Sequence, residues 1–496
     1  MRIKAGSPAA GKKRVDWRKA IGKAVLARFK HAFLHVPAYR KFLAQNGVDG
    51  KRIVSAEDLE RVPPIAKNNY LRAHPWEKLS SNGALADEAL VLTATSGSTG
   101  QAFYIPRTDE LHEAATILHR GFLERSGLDP KKKTLVIVAF GMGVWIGGLL
   151  TYEAFRRISV RGWPLSLITP GVNKKEIFEA LKHIGPAYDQ LVLCGYPPFV
   201  KDVIDEGTAQ KIDWKQWDMR IVCAAEAFSE RFRDYLLQKT GMRDPYRSVM
   251  NIYGSAELGT MATETPLTIL LRRLAIAHPP LFGRLFREAH RLPTVAQFVP
   301  DFVAFEEGRK GEVYATGGTV LPFVRYDIGD QGGTFTFDEA AAACREIGID
   351  LEAEAARAGI GDTVTELPFV YLYERADLST KLYGAIIYPE HVKGGLQNSQ
   401  LEKSLTGRFT MRTEHDGDHN EFLELNVELK QDKKGGDALR QAIIDSVVKS
   451  LAASSDEYRY LLGSIRGKVI PRIVFWPHGD PKYFNPSIKQ KWVIRS

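Results

Sequence analysis

The sequence predicts an α/β protein with a large N-terminal domain, in which parallel-rich sheets are flanked by helices, and a small mobile α+β C-terminal domain. From about residue 90, short apolar runs alternate with helical patterns, and this alternation is typical of parallel sheets. The chain has 496 residues, of which 44% are hydrophobic and 26% charged, so it can bury a large core and support a second domain. We expect the two domains to span residues 1–374 and 375–496.

The first predicted element is an amphipathic helix within residues 15–45, which Pro37 interrupts. Its apolar stripe recurs every four positions and consists of Trp17, Ile21, Val25, Phe29 and Phe33. Residues 1–60 contain 14 Lys/Arg and 5 Asp/Glu, which accounts for the whole net charge of +9. The excess fits solvated helices, which we favour, or attraction to a polyanion, an acidic lipid or an acidic partner. No aromatic–basic pattern accompanies it, so we expect no nucleic-acid partner.

A run of apolar residues at 134–152 is nearly long enough to cross a membrane. Its first part is β-branched, however, and Gly141, Gly143, Gly147 and Gly148 then interrupt it. We therefore interpret it as a strand, a glycine loop and a helix, and expect no transmembrane segment. Further candidate strands lie at 102–105, 191–194, 220–223, 249–253 and 311–316, with helices at 174–184 and 229–239.

Two helical segments have the character of insertions. Residues 267–291 are apolar and arginine-rich and are broken at Pro279, and residues 335–358 are rich in alanine and acidic residues. The first segment could serve as a lid, a partner-binding face or a helix at a membrane surface. The C-terminal domain should contain a strand pair near 408–430, a helix at 437–452 and a last strand at 468–476.

The three cysteines, Cys194, Cys223 and Cys344, lie far apart in sequence, and the sequence contains no Cys/His cluster. A zinc site or a disulfide framework is therefore not expected, and a reducing cytoplasm fits best. The N-terminus is basic but no apolar segment follows it, so we expect no secretory signal.

A loop rich in hydroxyl groups and glycine occupies residues 95–100, with the sequence TSGSTG, behind a short strand-like run. Its glycines allow backbone amides to approach an anion closely, and its hydroxyls can donate to phosphate oxygens. The loop lacks the lysine of the P-loop pattern, so a cation for the phosphates must come from elsewhere. A hydroxyl-rich surface turn is the alternative explanation.

Five short segments are each weak evidence alone, but together, in their order along the chain, they indicate a family. They are TSGSTG at 95–100, NIYGSAE at 251–257, PFVRYDIGD at 322–330, ERADLSTKLYG at 374–384 and PSIKQKWV at 486–493. In this order and spacing they resemble the adenylate-forming ligases, the acyl-CoA synthetase superfamily. The branch they resemble most is the phenylacetate–CoA ligase-like group, with its related capsular-biosynthesis proteins. The early segment HVPAYRKF, followed by VPPIAKNNYLR, is also similar to that group.

The resemblance implies a site for ATP. The loop that holds the β- and γ-phosphates would consist of Ser96, Gly97, Ser98, Thr99 and Gly100. The family pattern continues with a lysine, whereas this chain has Gln101, which puts the cation contacts of the loop in doubt. The segment along the adenine would consist of Ala224, Ala225 and Glu226.

Three further nucleotide contacts are implied. Tyr253 would stack on adenine in the turn that continues with Gly254 and Ser255, and Glu257 would act in catalysis by ligating Mg²⁺, which prefers oxygen ligands. Ala256 replaces the expected hydroxyl residue, whose α-phosphate contact is lost or supplied by Ser255. Asp330 would accept both ribose hydroxyls. A strand-end turn is the alternative explanation for Tyr253 and Glu257. Arg325 belongs to the same motif as Asp330, and a structural ion pair with Asp327 or Asp330 is the alternative explanation for it.

The resemblance also places a hinge and a catalytic lysine. The hinge into the C-terminal domain would include Arg375, Asp377 and Lys381, and Arg375 would also contact the nucleotide. Lys489 would neutralise the charge that develops as the carboxylate attacks the α-phosphorus. It follows Ile488, where the family has glycine, and a solvated tail lysine is the alternative. Lys491 is the second choice for this role.

The acyl pocket is implied by AFGMGVWIGG, which follows a predicted strand and resembles the aromatic–glycine segment beside the carboxylate substrate. Phe140, Gly141 and Trp145 would line it together with Tyr196, and core packing is the alternative. The GMGVWIG spacing is GxGxxxG, and no acid lies about 20 residues on, which disfavours a dinucleotide-dependent oxidoreductase.

The resemblance thus implies an AMP-forming ligase that uses ATP and Mg²⁺ to convert an aromatic or hydrophobic carboxylic acid into an acyl adenylate. Coenzyme A would be the acceptor, and an amine or a cofactor acceptor is the alternative. Because Gln101, Ala256 and Ile488 depart from the family pattern, a nucleotide-binding protein without catalysis is a further alternative. A cytoplasmic homodimer is compatible with this reading.

Overall fold

A computed structural model gives the fold. It describes residues 15–83, 89–94, 103–143, 146–288, 291–318, 320–373, 380–383, 385–416, 421–484, 490 and 492–493. The helices are α1 (Trp17–His35), α2 (Pro37–Gln45), α3 (Trp76–Leu79), α4 (Asp109–Arg125), α5 (Ile146–Val160), α6 (Lys174–His183), α7 (Pro197–Ala209), α8 (Glu230–Thr240), α9 (Pro266–Ala277), α10 (Pro279–Leu285), α11 (Phe337–Arg345), α12 (Leu351–Arg357), α13 (Pro389–Leu396), α14 (Asp437–Ser454) and α15 (Asp456–Val469).

The strands of the larger, N-terminal part are β1 (Val91–Ala94), β2 (Tyr104–Arg107), β3 (Thr134–Ala139), β4 (Leu165–Ile168), β5 (Gln190–Gly195), β6 (Asp218–Ala224), β7 (Val249–Ser255), β8 (Gly259–Thr263), β9 (Thr294–Phe298), β10 (Ala304–Glu307), β11 (Glu312–Gly317), β12 (Phe323–Phe335) and β13 (Phe369–Tyr373). The C-terminal strands are β14 (Thr380–Leu382), β15 (Ala385–Ile387), β16 (Leu405–His415), β17 (Glu421–Leu429) and β18 (Arg472–Trp476). Single helical turns occur at Gly50–Arg52, Glu57–Arg61, Lys67–Leu71, Ser81–Gly83, Gly185–Ala187, Trp214–Gln216, Gly361–Thr363 and Leu401–Lys403.

The predicted N-terminal helix is confirmed. Asp16 caps α1 by accepting a hydrogen bond from the Lys19 backbone at 3.0 Å, and Pro37 begins the separate helix α2. Ile21, Val25 and Phe29 of the stripe are buried, and α1 packs against the sheet formed by β10, β11 and β12. The apolar period therefore determines which face of α1 packs.

An eleven-stranded sheet organises the described N-terminal part, in the order β10-β11-β12-β13-β9-β8-β7-β6-β5-β3-β4. The α/β fold class is confirmed. Parallel pairing runs from β4 through β3, β5 and β6 to β7, and the other described strands of the sheet pair antiparallel. Strands β3 and β5 are buried along their whole length because hydrophobic clusters cover both faces of the parallel half. The interpretation of 134–152 as strand, glycine loop and helix is confirmed by β3 and α5.

The two segments that the sequence predicts as insertions pack against each other. Helices α9 and α10 share one hydrophobic cluster with α11, α12 and β13, in which Leu271, Leu281, Phe337 and Cys344 are buried. The apolar face of the 267–291 segment is thus covered by the protein itself, and the sequence alternative of a membrane-surface helix is wrong for that face. No helix in the described ranges is long and apolar enough to span a bilayer.

The C-terminal part, residues 380–493, has its own hydrophobic cluster. The predicted strand pair near 408–430 is confirmed as β16 and β17, which pair antiparallel, and β18 joins β17 in parallel. The predicted start of the last strand at 468 is wrong, because α15 continues to Val469 and β18 begins at Arg472. Helix α15 itself was not predicted.

Candidate active site

Several predicted site residues lie at one edge of the large sheet. In the register of the parallel strands, Ala139 is level with Gly195, which is level with Cys223. The next residues along each strand are therefore neighbours at the carboxyl edge of the sheet, where α/β proteins bind ligands. These next residues are Phe140, Tyr196 and Ala224.

Phe140 and Tyr196 form one wall of this edge. Their rings meet edge to face, with centroids 5.2 Å apart, and Phe140 is fully buried while Tyr196 is partly buried. Burial raises the pKa of Tyr196, a hydrogen bond from the Gly141 backbone lowers it, and the Glu226 carboxylate raises it. Phe140 therefore supports the wall from the core, and Tyr196 lies between the predicted acyl pocket and the predicted adenine segment.

The predicted adenine segment has an unusual backbone. Ala225 has φ of 75°, a left-handed conformation that side chains other than glycine rarely adopt. The buried Asn251 holds the segment by donating from its side-chain amide to the Glu226 backbone carbonyl at 3.0 Å. This hydrogen bond ties the segment after β6 to the neighbouring strand β7.

Tyr253 and Asp330 meet across the site. The Tyr253 hydroxyl donates a hydrogen bond to the Asp330 carboxylate at 2.6 Å, although 77 residues separate them. At Gly254, an added Cβ would lie 2.6 Å from the Gly259 carbonyl, so only glycine fits there. The Ser255 hydroxyl accepts from the Leu258 backbone at 3.1 Å, and its own proton can still donate to a ligand oxygen.

Glu257 lies in a cationic environment that the sequence did not predict. Its buried carboxylate is 3.3 Å from the Lys67 ammonium. Arg107 is also buried and donates to the Glu257 backbone carbonyl at 3.1 Å and to the Thr93 hydroxyl at 3.1 Å. A further hydrogen bond joins Arg107 to the Ala256 carbonyl. Two cations therefore lie beside Glu257, and one of them also holds Thr93, two residues before the phosphate loop.

Burial lowers the pKa of Arg107 to about 10, and the Glu257 carboxylate opposes this shift. The guanidinium remains protonated at neutral pH, but its charge is incompletely compensated. The sequence contained one signal for Lys67, because it lies in the segment VPPIAKNNYLR that resembles the family. Arg107 is the last residue of β2 and belongs to none of the motifs recognised in the sequence.

Arg325 forms an ion pair, which is the alternative considered from the sequence, but its partner is Glu306 and not Asp327 or Asp330. Its guanidinium lies 3.6 Å from Glu306 and donates to the Val62 backbone carbonyl at 2.6 Å. Arg325 has φ of 51°, and Asp327 accepts instead from the Gly329 backbone. Arg325 thus ties the N-terminal segment to the sheet beside the site.

A network of buried charged side chains is hydrogen-bonded to the residue that holds the predicted adenine segment. Arg233 and Arg272 contact Glu230 and Glu264 at distances of 2.9 to 3.2 Å, and all four side chains are buried. Glu264 also accepts from the Asn251 backbone at 2.9 Å. Because Asn251 holds Glu226, this network positions the predicted adenine segment.

Other predicted residues lie outside the described residues. They are Ser96, Gly97, Ser98, Thr99, Gly100, Trp145, Arg375, Asp377 and Lys489. The backbone of Lys381 lies in β14. Trp492, three positions after Lys489 in sequence, is buried in the cluster of the C-terminal part.

A magnesium ion fits this site only together with a nucleotide. The described residues contain no group of three or more His, Cys, Asp or Glu side chains that could hold a metal by themselves. Glu257 offers one carboxylate, and Mg²⁺ is commonly held by one or two carboxylates plus phosphate oxygens and waters.

The described fold is that of the adenylate-forming ligases. It superposes with a TM-score of 0.67 on the crystal structure of a 2-hydroxyisobutyryl-CoA ligase in the postadenylation state, at 16% identity, covering 99% of this chain and 94% of that one. It superposes with a TM-score of 0.55 on an acyl acid amido synthetase in complex with 2,4-DB, at 12% identity, covering 98% and 96% of the two chains.

The sequence is similar to the phenylacetate–coenzyme A ligase of Pseudomonas putida. The two are 25% identical over 305 residues, which is 61% of this chain and 63% of that protein. The chain thus spans less than two thirds of the length of this relative. No protein-family model matches the chain. The predicted resemblance to the phenylacetate–CoA ligase-like branch is confirmed.

Proposed function

We propose that the protein is an AMP-forming ligase that joins a carboxylic acid to ATP as an acyl adenylate and then transfers the acyl group to coenzyme A. In the first step, a carboxylate oxygen bonds to the α-phosphorus and pyrophosphate leaves. In the second step, a thiol sulfur bonds to the acyl carbon and AMP leaves. The observation that supports this proposal most directly is the hydrogen bond from Tyr253 to Asp330, which joins two distant motifs at the carboxyl edge of the sheet.

In this proposal, Tyr253 and the Ala224–Glu226 segment hold the adenine, and Asp330 accepts the ribose hydroxyls. Asp330 is well suited because a carboxylate has lone pairs for two donors besides Tyr253. Arg375 contributes a further nucleotide contact.

The phosphates would be held by the backbone and hydroxyls of Ser96, Gly97, Ser98, Thr99 and Gly100. The cation that this loop lacks would come from three sources: Lys67 and Arg107 beside Glu257, and Lys489 from the C-terminal domain. Glu257 would hold Mg²⁺ against the phosphates, and the ion would supply charge neutralisation for the leaving pyrophosphate. Since Lys67 now pairs with Glu257, its ammonium would move toward the phosphates when the ion binds.

The acid would bind beside Tyr196, Gly141 and Trp145, with Phe140 behind them. The aromatic ring faces and the partly buried position favour an aromatic or hydrophobic acid. We also propose the division into residues 1–374 and 375–496, with Arg375, Asp377 and Lys381 as the hinge. The separate hydrophobic cluster of the C-terminal part supports this division.

The cytoplasm is the proposed compartment, because all three cysteines are free and buried and none needs an oxidising environment. A homodimer is the proposed assembly, which light scattering of the purified protein would test. The second candidate acceptor is an amine, since an acyl acid amido synthetase shares the fold.

The test is ATP–pyrophosphate exchange that depends on added acid, measured without any thiol over aryl, short-chain and long-chain acids. Exchange with an aromatic or hydrophobic acid is expected, followed by thioester formation when coenzyme A is added. Exchange without a thioester, but with amide formation when amines are supplied, would favour the second acceptor. ATP binding without exchange for any acid would contradict the ligase and leave a nucleotide-binding protein.

The matched variants are Lys489→Ala and Lys434→Ala, which remove one lysine each from the C-terminal part. Lys489→Ala should lower exchange by about 10²-fold or more with ATP binding nearly intact, because the lysine acts on charge that develops in the transition state. Lys434 is exposed, so Lys434→Ala should change nothing. Equal exchange in both variants would remove Lys489 from the mechanism.

A further inference from the structure

The arginine-rich inserted segment ends at a buried contact with the C-terminal part. Arg291, the last residue of the segment, is only 4% exposed. Its guanidinium lies 3.4 Å from the Glu390 carboxylate and 4.1 Å above the Tyr388 ring centroid. Tyr388 caps α13 and Glu390 lies in its first turn, so both belong to the C-terminal part.

The same guanidinium also contacts the N-terminal part. It lies 5.2 Å from the ring centroid of Tyr373, the last residue of β13. The Tyr373 hydroxyl in turn accepts a hydrogen bond from the Glu288 backbone at 2.9 Å. Tyr373 and Tyr388 lie on either side of the proposed hinge in sequence, and Arg291 touches both rings. We refer to Arg291, Tyr373, Tyr388 and Glu390 as the clasp.

The helices that precede Arg291 are anchored in the N-terminal part. Helix α9 begins the segment that carries Arg291, and its Arg272 is fixed by hydrogen bonds of 2.9 Å to Glu230 and 3.0 Å to Glu264. The apolar side of α9 and α10 is held in the cluster with α11 and α12. Arg291 thus follows helices that pack in the N-terminal part, and it contacts residues on the C-terminal side of the proposed hinge.

A planar guanidinium is suited to this place. It stacks on aromatic rings and binds a carboxylate through the same group, which a lysine ammonium cannot do with equal geometry. Loss of Arg291 would leave the partly buried Glu390 carboxylate without this partner. That loss would disfavour the orientation in which α13 packs next to residue 291. An arrangement in which α13 moves away would expose Glu390 to water and would be disfavoured much less.

We propose that Arg291 is a positioning residue that holds the C-terminal part in the orientation of this structure, and that opening of the clasp accompanies the change between the two steps of the reaction. The inserted segment is then a brace for the hinge rather than a lid over the acid. This inference rests on the proposed two-step function, but the orientation itself can be measured without any substrate.

The first experiment measures the distance between two spin labels by pulsed electron paramagnetic resonance. Labels on Glu179→Cys and Asp437→Cys report on the two parts, and the native cysteines are buried and escape labelling. In Arg291→Met, the fraction of molecules whose label-to-label distance differs from that of the orientation in this structure should rise about five-fold or more. This is the effect expected for loss of a buried charged contact. Arg284→Met is the matched control, because Arg284 lies in the same segment but pairs with Glu346 at the surface. An unchanged distance distribution in Arg291→Met would overturn the proposal.

Glu390→Gln and Tyr388→Leu repeat the test from the other side of the clasp and cover the case in which Arg291→Met does not fold. Both should shift the distances in the same sense, and Arg291→Lys should give an intermediate distribution. If neither variant moves the labels, the clasp does not set the orientation.

The second experiment compares the two half-reactions in the same proteins. The ratio of pyrophosphate exchange to thioester formation should change about three-fold or more in Arg291→Met and Glu390→Gln and stay constant in Arg284→Met. A general loss of stability would lower both rates together, which would contradict a positioning role. If wild-type protein shows no exchange, the proposed function fails, while the spin-label distances still decide whether the clasp holds the two parts.

Discussion

Two buried arginines of this protein differ in what compensates their charge. Burial lowers the pKa of Arg233, but Glu230 and Glu264 outweigh this effect and raise it above its usual value. Burial also lowers the pKa of Arg107, and there the more distant Glu257 carboxylate does not restore it. Arg233 donates to two carboxylates and to the Val249 carbonyl, whereas the hydrogen bonds of Arg107 go to two carbonyls and a hydroxyl and to no carboxylate.

The difference supports a division between a structural charge at Arg233 and a charge at Arg107 that the proposed nucleotide site would use. In the Arg233 network, the protein supplies the anions, so the network is complete without a ligand. Beside Arg107, the field of Lys67 and Arg107 exceeds what Glu257 alone can balance, and an anionic ligand such as a phosphate would gain from it. Changes in the network should therefore affect stability, and changes in the site should affect nucleotide binding.

The largest effect is expected for Arg233→Met. The variant leaves Glu230 and Glu264 buried with less compensation, and its free energy of unfolding should fall by about 3–5 kcal/mol, measured by urea denaturation. The control is Arg231→Met, because Arg231 is exposed on the same helix. A loss below about 1 kcal/mol would mean that the network is not what holds α8 and α9.

The second-largest effect is expected for acid, which should lower the stabilisation that the Glu230 network gives to the folded state. Burial alone would raise the pKa of Glu230, but Arg233 and Arg272 bring it down to about 2. Because the folded pKa lies below the unfolded one, this stabilisation is complete above about pH 4.5 and is lost as the pH falls through about 2. The loss is on the order of 3 kcal/mol, and urea midpoints measured between pH 6 and pH 2 would show it. Arg233→Met should show a much weaker pH dependence; an identical slope in both proteins would contradict the assignment to Glu230.

The smallest effect in this series is expected for a substitution in the candidate nucleotide site. Asp330→Ala should weaken ATP binding by about 1.5–3 kcal/mol, as expected for lost hydrogen bonds to a charged group, and should change the unfolding free energy less than Arg233→Met does. Isothermal titration calorimetry with ATP measures the first quantity. Asp301→Ala is the control, because Asp301 is an exposed aspartate of the same part. An unchanged dissociation constant would sink the ribose assignment.

Much of the fold could be predicted because it follows local patterns. The four-residue period of α1 and the β-branched run of β3 each report burial through the positions of a few neighbouring residues. Helix α15 was missed because Gly463 and Gly467 interrupt its pattern, and packing in the C-terminal cluster outweighs their low helix propensity. The fact that β9 to β13 extend the sheet antiparallel depends on long-range pairing that no short window contains.

The site was predictable to the extent that it consists of motifs. Tyr253 and Asp330 are motif residues, and the structure places them in contact. Lys67 and Arg107 were missed because their partners lie 190 and 150 residues away, and only the folded chain makes these contacts. Arg325 was assigned to neighbours in its own motif, but its left-handed backbone directs the side chain elsewhere.

The shared core of the two segments that the sequence predicts as insertions has a consequence for engineering this chain. Removal of either α9–α10 or α11–α12 alone would leave an uncovered apolar face on the pair that remains. A shortened chain that keeps only one pair would aggregate for the same reason. The two segments should therefore be kept or removed together, although the 43 residues 292–334 separate them in the sequence.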